Sequence, residues 1–510
     1  MNRYKDGIDG VKRIKYFYDK IESMVMRKTF FIVWLILLTP MVMGAIRLPG
    51  IFSDNMVFQG NKEIRLWGWA DPGEKIRVSF NGQVRKVKTT KDGEWTTTLN
   101  PEEYGGPYIL RIEGKDQLIE LNDILVGDVW FCSGQSNMVW NVASSKNAEE
   151  EIVSAKYPEI RSFNVDRKVA FEPTTEITGR WQVCSPETVG DFSAVAYFFA
   201  RKLFQETHIP IGIINASWGG TEIEPWISGK SFDALPHELK DHYKYTPDNS
   251  PDSMKIKLST GVIENNKVQP NLYPTVLYNG MVSPVVNISI KGVIWYQGEN
   301  NAHAGRSGDY YSLFPCLIRD WRARWGYEFP FYWVQLANYK PESPLPVESQ
   351  WAELRDAQHH TLSLPNTGEA VTIDIGEAND IHPRNKQDVG LRLALIALNK
   401  TYGQEIVYSG PVYKSMNITG NKVILDFDHT GSGLMVKNKY GYLNGFAIAG
   451  ADKQFKWAKA YINKNNQVVV YNDEIANPLF VRYAWSDNPG DANLYNREGL
   501  PASPFQLSNN

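Results

Sequence analysis

Between residues 126 and 403, short apolar runs alternate with amphipathic stretches, and this alternation constrains the fold more than any other feature of the chain. The apolar runs fall at 128–132, 161–165, 211–216, 292–296, 331–336 and 370–375. The stretches among them, at 194–207, 310–325, 351–360 and 386–402, carry apolar residues at helical spacing. Strands buried on both faces read as nearly continuous apolar segments, and parallel neighbours need crossovers long enough to hold a helix. The pattern therefore predicts an α/β domain over 126–403, with a parallel sheet covered by helices on both faces. In such sheets ligands bind beyond the carboxyl ends of the strands.

The flanks follow a different period. In residues 46–125, Ile76-Arg77-Val78-Ser79-Phe80 alternates apolar and polar residues, Asn81-Gly82 then supplies a hairpin turn, and Asp92-Gly93 marks a second turn. Helical periodicity is absent, so this part predicts a small β-sandwich. Residues 404–510 return to β character, most clearly at Val423-Ile424-Leu425-Asp426-Phe427 and Phe480-Val481-Arg482-Tyr483-Ala484-Trp485. A chain of 510 residues accommodates these parts as separate domains. The proline-dotted segment at 221–289 reads as an excursion of short helices walling the site.

Residues 1–45 read as a leader. Arg27-Lys28 precedes the apolar run 30–38, and Gly44-Ala45 offers small residues for cleavage, which is the layout of a secretory signal peptide. The run is too short for a stable bilayer span, so the expected product is periplasmic or extracellular, with no membrane anchor. The polar residues 1–23 upstream point to Met24 or Met26 as the true start. Three cysteines, Cys132, Cys184 and Cys316, give at most one disulfide and no CxxC pair, and Cys132 is expected to be a small buried residue. A net charge of −3 with no dense run of Lys or Arg argues against a nucleic-acid partner. Aromatic residues make up 13% of the chain, and their flat faces suit sugar rings as well as cores.

Four short segments carry residues fit for chemistry, each just after a predicted parallel strand. In Ser133-Gly134-Gln135-Ser136-Asn137-Met138, small residues surround a serine at a strand-to-helix turn, which lifts a hydroxyl out of the sheet. In Asn215-Ala216-Ser217-Trp218-Gly219-Gly220-Thr221, paired glycines let backbone amides approach a ligand. In Trp295-Tyr296-Gln297-Gly298-Glu299-Asn300-Asn301, amide side chains stand where they can donate to a developing oxyanion. In Asn379-Asp380-Ile381-His382-Pro383, an imidazole sits beside a carboxylate that can fix its tautomer. Singly, each reads as a helix cap, a turn or a loop cap. Together they supply the nucleophile, base, orienter and oxyanion donors of acyl transfer.

The first, third and fourth segments, with Asn385-Lys386, resemble the sialate O-acetylesterase family of SGNH hydrolases, which is related to acetyl-xylan esterases. The resemblance extends to Leu48-Pro49, Asp54-Asn55-Met56-Val57, Asn493-Leu494-Tyr495-Asn496 and Glu498-Gly499-Leu500-Pro501-Ala502. It implies a flavodoxin-like catalytic domain, Ser136 as nucleophile and His382 as base. It implies an oxyanion hole of the Ser136 and Gly220 N–H groups with one side-chain amide. Gln297 is favoured for that amide, with Asn300 as the alternative from the Gly298-Glu299-Asn300 pattern. Many SGNH hydrolases place the acid three residues before the histidine. Asn379 holds that position here, so Asp380 is the favoured acid and Glu299 the alternative.

The reaction implied is removal of O-acetyl groups from sialic acids or related glycans through an acetyl-enzyme, with neither metal nor organic cofactor. Deacetylation of xylan or another polysaccharide is the alternative, and a non-catalytic carbohydrate-binding protein is the rival from another class. Trp218 is a candidate substrate contact. Arg306 and Arg384 are candidates for a sialate carboxylate through their proximity to the motifs. The oligomeric state is not legible.

Overall fold

A computed structural model describes residues 45–240 and 270–508. The leader run and the cleavage site at Gly44 lie outside the described residues, as does part of the 221–289 excursion. No helix among the described residues is long and apolar enough to cross a membrane.

The centre is a parallel sheet ordered Thr367–Ala370, Phe331–Val334, Gly292–Tyr296, Leu118–Gly134, Ile211–Ser217 and Tyr157–Asn164, closed by the antiparallel edge strand Trp181–Cys184. The chain builds one side of Leu118–Gly134 first and then crosses to the other. The switch point thus lies beside that strand, and in open α/β sheets ligands bind at the carboxyl edge of such a point. Strand Gly292–Tyr296 shows why the sheet is covered twice. Val293 and Trp295 enter one core with Phe131, Trp321 and Trp333, while Ile294 and Tyr296 enter a second with Trp130, Cys132, Val389 and Leu393.

The helices Ala194–Thr207, Tyr310–Trp325, Gln350–His360 and Lys386–Lys400 fall where the periodicity puts them. Their ends follow capping chemistry. Ser193, Ser349 and Asn385 each accept a backbone N–H of the first turn, and Gly326 ends the second helix at φ 79°.

One expected strand moves. The last parallel strand is Thr367–Ala370, and residues 371–375 have left the sheet. They are apolar for another reason: Val371 and Ile373 pack into the core of the C-terminal β region, beside Val423, Phe446, Val481 and Phe505.

The division at 125/126 falls within a single strand, Leu118–Gly134. Its first half pairs antiparallel with Gly105–Glu113, and its second half pairs with the parallel strands. Burial along it changes from alternating to continuous, so the period changes without a break in the chain. In the N-terminal part, Lys75–Phe80 and Gln83–Lys88 form the hairpin expected at Asn81-Gly82, with both turn residues at positive φ.

The C-terminal β region forms antiparallel sheets, among them Val412–Thr419, Lys422–Asp428, Val468–Tyr471 and Lys459–Ile462. It docks on the α/β domain through fully buried Arg355, whose guanidinium donates to the carbonyls of Leu336, Ala337, Ser486 and Asp487. Burial among neutral carbonyls pushes that guanidinium down to about 9. Cys132, Cys184 and Cys316 are all free thiols, with Cys132 buried.

Candidate active site

Strand register brings three of the four segments together. Gly134 lies between Ser217 on one neighbouring strand and Tyr296 on the other, so all three strands end on one line. Gly134 has φ 138°, and a Cβ there would lie 2.1 Å from the Tyr296 carbonyl oxygen, so only glycine fits this turn. Gln135 donates its N–H to the same carbonyl (2.9 Å), and its side-chain oxygen accepts the N–H groups of Gly298 and Asn300, both at 3.3 Å. Ser136 then opens a short helix with its hydroxyl at the rim.

His382 arrives from the loop before the last long helix. Its Nε2 lies 2.8 Å from Ser136 Oγ, across 246 positions of sequence. That is hydrogen-bond contact between a nucleophile and a base. The loop is braced along its backbone: Asp380 Oδ1 accepts the His382 N–H (2.8 Å), Glu377 Oε1 accepts the Arg384 N–H (2.8 Å), and the Ile381 carbonyl accepts from Asn137 Nδ2 (3.0 Å). Asp380 Oδ1 is also 3.6 Å from His382 Nδ1, close enough for charge attraction but long for a hydrogen bond. Burial holds the imidazole below its ordinary value. The Asp380 carboxylate opposes this, and the Lys386 ammonium reinforces it. A base depressed in this way is unprotonated at neutral pH.

The glycine loop closes the other side. Trp218 donates its N–H to the Gly134 carbonyl (3.0 Å), and a Cβ on Gly219 would touch Ser136 Cβ at 3.3 Å. Gly220 follows at φ 71° with open space where a side chain would stand. Trp218 is half-buried, with the Arg167 guanidinium 5.7 Å from its ring centre.

Two candidates point elsewhere. Gln297 is fully buried, and its NH₂ group donates to Thr221 O (3.1 Å) and Asn301 Oδ1 (2.8 Å) while its oxygen accepts from Tyr310 (2.9 Å). Both of its N–H donors are engaged inside the protein. Arg306 pairs with Glu222, Glu224 and Asp309, so it ties the turn after Gly220 to the helix at 310. A guanidinium already paired with three carboxylates sits in a cluster of net negative charge, which disfavours a further anion. Arg384 is exposed, two residues from His382.

Glu299, the alternative acid, is buried on the inner side of the site. Its Oε1 accepts from Asn137 Nδ2 at 2.6 Å, and its Oε2 has no hydrogen-bond partner among the described residues. Burial raises this carboxyl, against the pull of the Asn137 bond and of Lys386. Lys386, also buried, donates to Asn137 Oδ1, and burial pushes its ammonium down to about 7. Asn137 thus joins Glu299, Lys386 and the His382 loop.

Asn137, Lys386 and Trp140 lie outside the set the sequence singles out for roles. The first two sit within the motif blocks, flanking Ser136 and following His382. Trp140 stands four residues after Ser136, one helical turn away, and stacks on the imidazole. Among the described residues, no group of three or more His, Cys, Asp or Glu is placed to hold a metal ion.

The chain is similar to known carbohydrate esterases. The family model for carbohydrate esterases, sialic acid-specific acetylesterases, matches residues 126–398. The sialate O-acetylesterase of Mus musculus is 31% identical, aligned over 86% of this chain and 90% of its own length. That of Homo sapiens is 29% identical over 92% and 95%. The crystal structure of a carbohydrate acetylesterase from Xanthomonas citri superposes with a TM-score of 0.81 at 41% identity, covering 91% of this chain and all of that one. The family match spans more than half of the chain and contains the Ser136–His382 contact, and we conclude that the protein is an ester hydrolase belonging to the sialic acid-specific acetylesterase family of carbohydrate esterases.

Proposed function

We propose that this chain is an exported serine esterase that removes O-acetyl groups from sialic acids or related glycans through an acetyl-enzyme. The contact between His382 Nε2 and Ser136 Oγ at 2.8 Å carries the reading. His382 takes the hydroxyl proton as Ser136 Oγ bonds to the acetyl carbonyl carbon. The carbonyl π electrons move onto oxygen and return as the C–O bond to the sugar breaks. The departing sugar oxygen takes the proton from His382. Water, activated by the same imidazole, then releases acetate and restores Ser136.

The oxyanion is held by the N–H groups of Ser136 and Gly220. With the Gln297 amide engaged internally, Asn300 becomes the side-chain donor. Each such donor is worth about 3–4 kcal/mol in the transition state. Asp380 orients His382 through the loop backbone and by charge. Trp218 is the candidate substrate contact, and exposed Arg384, two residues from His382, takes the role for a sialate carboxylate in place of the ion-paired Arg306. Export rests on the basic and apolar pattern at 27–38.

Acetate release by wild type and Ser136→Ala tests the reading on an aryl acetate, acetylated sialic acid and acetylated xylan. Loss on the order of 10⁴-fold or more in the variant is expected. Retained turnover would reassign the nucleophile. Preference for xylan would move the substrate from sialic acid to plant polysaccharide.

A further inference from the structure

From residue 404 to 508, four large hydrophobic side chains stand exposed, and all are aromatic: Tyr440, Tyr442, Trp457 and Tyr461. They form one surface. The antiparallel bridge between Leu443 and Ala460 sets Tyr442 opposite Tyr461. Tyr440 and Tyr442 stack with planes 21° apart. Trp457, Lys459 and Tyr461 alternate with less exposed Ala458 and buried Ala460, which places them on the same side of the chain. Trp457 also walls a cleft of about 310 Å³ whose other lining includes Glu342, Asn444, Asn488 and Asp491.

We propose that this surface is a glycan-binding platform that holds the main chain of a polymeric acetylated substrate while one of its esters occupies the Ser136 site. The proposal rests on the esterase reading above and adds the substrate's size class to it. A pyranose ring has an apolar C–H face and a polar hydroxyl edge. Exposed aromatic faces match the first, and a cleft edged with amides and carboxylates matches the second.

The platform is joined to the catalytic loop. Trp457 Nε1 donates to the Pro344 carbonyl (2.8 Å), and Tyr339 donates its N–H to the Asp487 carbonyl (3.1 Å). In the same segment, Asn338 donates to Asn488 in the cleft wall (2.9 Å) and accepts the Gly376 N–H (2.6 Å). Lys340 donates its N–H to the Ala378 carbonyl (2.9 Å), four residues before His382. One segment, 338–344, therefore touches both the cleft and the base of the His382 loop.

The test compares wild type, Trp457→Ala and Tyr461→Ala on an aryl acetate and on acetylated xylan. Retention of the same changes in a Ser136→Ala background is measured by gel electrophoresis through that xylan. The expected result is a KM for the polymer raised about fivefold or more in both variants, with aryl acetate turnover unchanged and retention reduced. Tyr461, with an exposed side chain, keeps the test open if Trp457→Ala loosens the Pro344 loop. Polymer kinetics and retention identical to wild type would overturn the platform. So would a dimer that becomes a monomer on Tyr461→Ala, because the face would then belong to a second copy. If the wild type releases no acetate from any ester, the esterase reading fails, while retention still decides the platform separately.

Discussion

The indole of Trp140 lies flat against the imidazole of His382, with ring centroids 5.1 Å apart and planes 14° apart. The indole N–H donates to the Ser144 carbonyl at 3.0 Å, which fixes the plane of the stack. Asp380 meets Nδ1 only at 3.6 Å, so side-chain packing shares with the loop backbone the work of aiming Nε2 at Ser136.

Trp140→Ala removes the stack and admits water to the ring. Less burial lets the imidazole titrate higher, so the acid limb of the kcat/KM profile moves up in pH. Looser aim lowers kcat by about ten- to a hundredfold. A pH series on an aryl acetate checks both. An unchanged limb and unchanged kcat would show that the stack contributes nothing.

Asp380→Asn acts in the opposite direction. Its amide oxygen still accepts the His382 N–H, but the negative charge that supports imidazolium is gone. The acid limb moves down in pH, and kcat falls because the imidazolium formed during attack is less stabilised. The same pH series distinguishes this from Glu299→Gln. If Glu299 were the orienting acid, that variant and not Asp380→Asn would shift the limb downward.

Lys386→Met tests the buried ammonium. Removing a positive charge near His382 raises the imidazole, so the acid limb moves up. The group also leaves a signature in stability. Its folded value of about 7 lies below the ordinary lysine value of 10.5, so between those pH values the unfolded chain binds more protons. This group then makes stability rise with pH across that window, by up to about 1.4 kcal/mol per pH unit. Denaturant midpoints measured from pH 7 to 10 should show a flatter rise in the variant. An identical slope in both proteins would place the proton elsewhere.

Gly134→Ala carries no chemistry but breaks the platform beneath Ser136. The new Cβ would overlap the Tyr296 carbonyl at a φ that non-glycine residues avoid. The expected loss is about 3 kcal/mol or more, read as a lowered denaturation midpoint with kcat falling alongside it.

By itself the sequence determined where the long helices and most of the parallel strands form and which residues could react. Period and capping are local properties, written in residues a few positions apart. That is why Ala194–Thr207 and Tyr310–Trp325 could be bounded, and why Ser136 and His382 stood out at the ends of apolar runs. Only the tertiary structure decided which of the polar side chains are engaged inside the protein. Gln297 and Asn300 look alike along the chain, yet Gln297 meets three partners inside the protein. Arg306 was as near the motifs as Arg384, but Glu222 and Glu224 from a distant segment enclose it together with its neighbour Asp309. Residues 371–375 are apolar enough for a strand, and only the C-terminal β region, folded against them, shows why they are not one. Such outcomes depend on long-range neighbours competing for each donor, charge and apolar face, and that competition exists only once the chain is packed.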